Sequence, residues 1–180
     1  HIVSQIGAPR VIADLVQVGL VRDQTQWMLD ILDDPARTGV AVVTTPEEMP
    51  VIRDTFTGLG PFGAILSAFR EQPEAAWLVV ACDLPLLDQD ALKFLVKHRD
   101  PSKLATAFHN PETGFPDPLV TIWEPRAYPV LLQFLTQGYS CPRKVLINSD
   151  IKLLEAPDPR ILLNANSPEE REAVRAILDK

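Results

Sequence analysis

Residues 77–82, Trp-Leu-Val-Val-Ala-Cys, form an apolar run with no polar alternation, and the run stops at Asp83-Leu84-Pro85. A strand of that make-up is buried on both faces, which requires helices on both sides of its sheet. Residues 39–44, Gly-Val-Ala-Val-Val-Thr, read the same way, bounded by Thr38 and Pro46. Helical patterns surround both runs. The expected class is therefore α/β with a mostly parallel sheet.

The helical signals are local. Pro9 followed by Ile12, Leu15, Val16, Leu20, Trp27, Met28, Ile31 and Leu32 predicts an amphipathic helix, divided at Gly19 and stopped by Asp33-Asp34-Pro35. Thr45-Pro46-Glu47-Glu48 predicts a short helix start. Further helices are expected over 61–70, 88–97 with Asp88 as cap, 125–137 and 142–147, and a last one opening at Ser167-Pro168-Glu169-Glu170. Strands are expected over 103–109 and 118–123, and edge strands over 151–154 and 161–163.

With 180 residues the chain can bury one ordinary core. Its 46% hydrophobic and 23% charged residues are the balance of a globular protein. A net charge of −7 argues against binding nucleic acid or an anionic membrane, both of which favour basic surfaces. No apolar run approaches the ~20 residues a membrane helix needs, and no basic-then-apolar leader is read at the start. Two cysteines, Cys82 and Cys141, make no disulfide framework. The expected location is cytoplasmic. Pro outnumbers Gly, 17 to 8, so the chain has few places to wrap a backbone loop around phosphates.

Three segments could carry chemistry. In open α/β sheets ligands bind outside the carboxyl ends of strands, and Asp83 stands there. It can hold a divalent metal against phosphate oxygens, or it can cap the following turn. Gly58, Gly60 and Gly63, three of the eight glycines, gather ahead of a helix start at Pro61. That arrangement suits an anion or a closely approached base, or makes a plain turn. Asn164 and Asn166, two apart, present amides on one side of a strand end; turn and cap chemistry accounts for Ser167 and could account for Asn166, but not for Asn164. His1, His98 and His109 have no metal-ligand spacing, and no P-loop or G-x-S-x-G elbow occurs.

In order and spacing, four stretches resemble the molybdenum cofactor guanylyltransferase family: Asp54 with Gly60-Pro61-Phe62-Gly63-Ala64-Ile65; Ala81-Cys82-Asp83-Leu84-Pro85; Pro118-Leu119-Val120-Thr121-Ile122-Trp123; and Asn164-Ala165-Asn166-Ser167-Pro168-Glu169-Glu170. The resemblance implies a Rossmann-like three-layer sandwich and Mg²⁺-dependent transfer of GMP from GTP to molybdopterin. It implies that Asp83 is the catalytic Mg²⁺ ligand and touches the nucleotide. It further implies that Asp54, Gly60, Pro61 and Gly63 contact the guanine nucleotide, and that Asn164 and Asn166 line the pterin side.

The family's opening loop, of the type Leu-Ala-Gly-Gly-x-Ser-x-Arg-Met-Gly-x-Asp-Lys, has no counterpart in residues 1–49. That stretch instead resembles part of an arsenite-pump-type anion-transporting ATPase, through Gly7-Ala8-Pro9-Arg10 and the segment from Pro35 to Met49. The expected organisation is a helix-plus-strand segment over 1–49, packed on the same sheet, followed by a transferase-like domain over 50–180. Two other functions fit the same residues. One is a transferase using CTP or a sugar phosphate; the other is a non-catalytic remnant or interaction module.

Overall fold

The computed structural model describes residues 2–6, 11–13, 54–81, 84 and 86–163. Six strands form one sheet: β1 (Ile2–Ile6), β2 (Val11–Ala13), β3 (Ala76–Val80), β4 (Ala105–Asn110), β5 (Phe115–Trp123) and β6 (Lys152–Glu155), in the order β2-β1-β3-β5-β4-β6. The described helices are α1 (Pro61–Glu71), α2 (Gln89–Lys97), α3 (Ala127–Thr136) and α4 (Pro142–Ile147).

The central strand β3 is buried at every residue, as its unbroken apolar run requires. Its side chains alternate between two cores. Ala76, Leu78 and Val80 meet Ala91, Leu92 and Leu95 of α2, with Phe108, Val120 and Ile122 of the neighbouring strands. Trp77 and Val79 point the other way, onto Phe62, Ile65, Leu66 and Phe69 of α1, Leu131 of α3 and Leu146 of α4. Helices thus cover both faces, giving the three-layer α/β sandwich.

The sheet is mixed and only partly parallel. Among the described pairings β4–β6 is parallel, while β1–β2, β1–β3, β3–β5 and β4–β5 are antiparallel. The cause lies in the β4–β5 connection. Asn110 pairs with Phe115 across a four-residue loop, Pro-Glu-Thr-Gly, which closes with Gly114 at φ +71°. So short a link makes a hairpin and cannot carry a parallel crossover. Because β5 lies between β3 and β4, it opposes both, and β3 and β4 run in the same direction.

Two local expectations are corrected. Val11–Ala13 is a strand paired with Ile2–Ser4, not the first turn of a helix from Pro9. A short β-branched pair such as Val11-Ile12 satisfies either period, and pairing with β1 decides it. Pro159–Leu162 is a 3₁₀ turn rather than an edge strand; Asp158 caps it by accepting from the Arg160 amide at 2.9 Å, with Pro at its start. The remaining described boundaries lie close to expectation. Asp88 caps α2 by accepting from the Ala91 amide at 2.8 Å. The strand expected over 39–44 and the helices expected after Thr45 and Ser167 lie outside the described residues. Among the described residues no helix is long and apolar enough to cross a membrane.

Candidate nucleotide site

The carboxyl ends of β3, β4 and β6 lie at one end of the sheet, with the start of β5. The helix α1 reaches β3 through the short 72–75 turn. Eleven helical residues span about 16 Å and five strand residues about 17 Å, so the α1 N-terminus returns to that same end.

The segment leading into α1 is folded back onto the helix by one hydroxyl. Ser67, buried in the second turn, accepts from the Thr55 amide at 2.9 Å and the Phe56 amide at 3.4 Å. The same Oγ donates to the Gly63 carbonyl at 2.7 Å. The loop then climbs the helix to Gly60, which turns the chain at φ +55° into Pro61. Gly63 is required by contact rather than by dihedral, since a Cβ there would overlap the Phe56 carbonyl oxygen. No side chain caps α1 and its first turn holds no acid. Its leading amides are therefore left for an outside acceptor.

Asp54, Gly60, Pro61 and Gly63 are thus brought together on one loop and helix start, with Asp54 exposed beside the Ser67 anchor. Asp83, Asn164 and Asn166 lie outside the described residues. The described chain leaves β3 at Ala81, whose amide donates to the Leu119 carbonyl at 2.8 Å, and resumes at buried Leu84.

A buried polar group at the same end escaped the sequence reading. From Ala107↔Thr121 to His109↔Pro116 the ladder takes two steps along β4 and five along β5. Three residues, Asp117, Pro118 and Leu119, are therefore extra on β5 and form an enlarged bulge. Asp117 is buried and accepts from the Leu119 amide at 2.9 Å and the Asn110 side-chain amide at 3.2 Å. Its carbonyl accepts from the Thr121 hydroxyl. Asn110 in turn accepts from the Glu112 amide at 3.0 Å. The one local signal was an acid before Pro in an otherwise apolar strand. Ser67 carried no signal beyond its place four residues after Gly63.

The resolved proton-affinity shifts lie on the surface, away from the α1 start. The Ser102 hydroxyl and amide hold Asp100 below the ordinary carboxylate range, the Asp150 carboxylate holds Lys103 above the ordinary amine range, and Arg160 lowers Asp158. At the carboxyl end of β4, His109 pairs with Glu155 of β6 at 3.2 Å.

Mg²⁺ is commonly bound through one or two carboxylates plus substrate phosphates and waters. Among the described residues no group of three or more His, Cys, Asp or Glu could hold a metal ion.

A family model described as the MobA-like NTP transferase domain matches residues 23–156, across residues 49 and 50. The chain belongs to the MobA-like NTP transferase family. A molybdenum cofactor biosynthesis bifunctional protein of Synechocystis sp. is 30% identical over 127 residues, which cover 71% of this chain and 37% of that protein. A molybdenum cofactor guanylyltransferase of Pseudomonas putida is 31% identical over 111 residues, covering 61% of this chain and 57% of the relative. The chain thus spans less than two thirds of both relatives. The fold is shared with the molybdopterin-guanine dinucleotide biosynthesis protein A of Archaeoglobus fulgidus, at TM-score 0.64 and 18% identity, covering 86% of this chain and 85% of that one.

Proposed function

We propose that this family member acts in Mg²⁺-dependent nucleotidyl transfer, taking GTP as donor and molybdopterin as the phosphorylated acceptor. The observation that carries the reading is the Ser67-anchored loop. It presents the uncapped α1 amides, with Asp54 beside the anchor, at the sheet end toward which β3 runs. The relatives' names support the choice of guanine nucleotide and pterin.

In this reading the Asp83 carboxylate would hold Mg²⁺, which when bound supplies charge neutralisation at the triphosphate oxygens. The Gly60–Gly63 turn lets the nucleotide approach the backbone, and the α1 amides donate to it. Asp54 accepts from the N–H groups of guanine. Asn164 and Asn166 orient the pterin with their amides. Residues 1–49 enter the proposal as a segment packed on the same sheet, which the β1–β3 ladder supports; the family match from residue 23 speaks against a separate ancestry for 23–49. The cytoplasm is its proposed location.

A second reading, a non-catalytic interaction module, is favoured by one observation. Residues 1–49 contain only Gly7, Gly19 and Gly39, without the family's glycine-rich triphosphate loop. Each charge-assisted bond such a loop donates is worth about 1.5–3 kcal/mol. A chain lacking several of them would bind triphosphate weaker by orders of magnitude.

Calorimetric titration of Mg²⁺ with GTP, CTP or ATP into the wild type and Asp83→Ala separates these readings. Heat with GTP alone that disappears in the variant supports the first. Heat chiefly with CTP moves the assignment to a related transferase. No heat with any nucleotide leaves the interaction module.

A further inference from the structure

We propose that His109, oriented by Glu155, is a substrate contact that takes the phosphate of the acceptor. The inference rests on the transferase reading above and adds to it a residue for the second substrate. His109 is the last residue but one of β4, and its register partner on β6 is Glu155, the last residue of that strand. The two strands run parallel, so the pair stands at their common carboxyl end, where open α/β sheets bind ligands.

Residues two apart on a strand share a face. His109 therefore shares its face with Ala107, which is buried in the core that α1, α3 and α4 cover. The uncapped start of α1 lies over that same face, at the same end of the sheet. Only β5 separates β4 from β3, a distance of about 10 Å. The imidazole and the α1 amides thus flank one stretch of the sheet end, one for each substrate.

The ring is set for a ligand by its own hydrogen bond. Nδ1 lies 3.2 Å from one Glu155 carboxylate oxygen and 3.4 Å from the other. With Nδ1–H donated to that carboxylate, Nε2 is left for another partner, and it makes no hydrogen bond among the described residues. The side chain keeps 30% of its surface exposed. A phosphate monoester loses its last proton at about pH 6, close to where a free imidazole gains one. An imidazole and such a phosphate therefore share one proton near neutrality. Nε2 meets the phosphate either as acceptor from P–OH or as donor to P–O⁻.

Tying β6 to the sheet does not require an imidazole. Just before the amino ends of the same two strands, Lys103 and Asp150 make that tie with an ammonium and a carboxylate, at 2.8 Å and 2.9 Å. The pair containing a ring with a second nitrogen stands at the ligand end.

The test reads the imidazole directly. Nitrogen-15 spectra of the His side chains are followed while the phosphate monoester of a 6-hydroxymethylpterin is titrated into the wild type, His109→Ala and Glu155→Gln. The same pterin without its phosphate is the control ligand. His98, whose Nδ1 bonds to the Phe94 carbonyl, is the control residue. Mg²⁺ with GTP is titrated separately by calorimetry.

We expect the monoester to shift the His109 Nε2 signal and leave His98 in place. Its affinity should fall about ten- to a hundredfold in His109→Ala, while the unphosphorylated pterin and GTP stay within about twofold of wild type. Glu155→Gln should change the His109 nitrogen signals before any ligand is added, and should weaken the monoester about three- to tenfold. A wild-type His109 that ignores the monoester overturns the proposal. So does equal loss of both pterins in His109→Ala, undiminished monoester affinity there, or an unaltered His109 signal in Glu155→Gln. If a variant does not fold, the wild-type titration alone decides, by the presence or absence of the His109 shift. A wild type that binds GTP but leaves His109 unmoved keeps the transferase reading and loses this contact. One that shifts His109 with the monoester but ignores GTP keeps the contact and loses the guanine donor.

Discussion

Gly63 packs under the Phe56 carbonyl oxygen so closely that any Cβ at its position would overlap that backbone atom. The Leu59 Cβ would stand 3.2 Å away on another side. Gly63→Ala places two effects in opposition. Alanine inside a helix gains up to about 1 kcal/mol over glycine. Overpacking against backbone costs about 1–3 kcal/mol, and the loop must lift off α1 to relieve it. We expect a net loss in denaturant unfolding together with weakened nucleotide binding. A variant as stable as wild type would show that the loop is not held against the helix.

Ser67 holds that loop by chemistry rather than by shape. Ser67→Ala removes the acceptor for the Thr55 and Phe56 amides and the donor to the Gly63 carbonyl. Loss of an acceptor for partly buried amides costs about 1–3 kcal/mol locally. The helix itself loses only a back-bond that contributes little to it. Limited proteolysis should therefore cut the 54–60 loop faster in Ser67→Ala, while far-ultraviolet circular dichroism stays at the wild-type level. Unchanged cleavage with an intact helix signal would refute the clip.

Much of the body was legible because its signals are local. The apolar run at 77–82, the Asp88 cap and the Pro142 start each specify an element within a few residues. The loop holding Gly58 and Gly60 was legible too, because turns that need glycine advertise it. The place of β5 between β3 and β4, which makes it oppose both, was not, since its pairing with β3 joins residues forty or more apart. Asp117 was hidden for the same reason. Its burial comes from a bulge measured against β4, which no property of residues 115–123 alone announces. Ser67 looked like any small polar residue on a helix.

Arg99 and Glu124 form a two-bond pair, at 2.7 Å and 2.8 Å, where the chain enters and leaves the far end of the sheet. Glu124 is 1% exposed, so its carboxylate depends on that guanidinium. Arg99→Met strands a buried charge and should cost about 3 kcal/mol, at the low end of the range because Arg99 itself is partly solvated. Arg99→Lys should recover only part, since an ammonium lacks the planar fork. Chemical denaturation of the three proteins gives both numbers. A loss in Arg99→Met below about 0.5 kcal/mol, the scale of an ordinary surface change, would contradict the pair's role.

The acid side of the stability curve has an identifiable contributor. Asp100 titrates below its ordinary value of 3.8 because the Ser102 hydroxyl and amide donate to its carboxylate. With the folded value depressed, this stabilisation is present above the unfolded value and is lost as pH falls through the folded one. Lys103 has the opposite sign. Raised by Asp150, it stabilises below 10.5 and loses that contribution as pH climbs through its higher folded value. Both groups are exposed, so the effects should shrink in high salt. In melting curves from about pH 5 to pH 2, Asp100→Asn should fall less steeply than wild type. Parallel curves would remove Asp100 from the account.

Asp54 separates a functional carboxylate from a structural one. It is exposed, and its neighbour Thr55, not Asp54 itself, carries the bond to Ser67. Replacing a side chain in such a place changes stability by no more than about 0.5 kcal/mol. If Asp54 accepts from guanine N–H groups, Asp54→Asn turns one acceptor oxygen into a donor facing a donor. Each charge-assisted bond lost is worth about 1.5–3 kcal/mol, about ten- to a hundredfold in affinity. GTP binding should weaken by that factor with melting temperature unchanged, while ATP, which lacks those donors, should be affected much less. Equal weakening of both nucleotides would assign Asp54 to the loop's shape, and no weakening at all would remove it from the site.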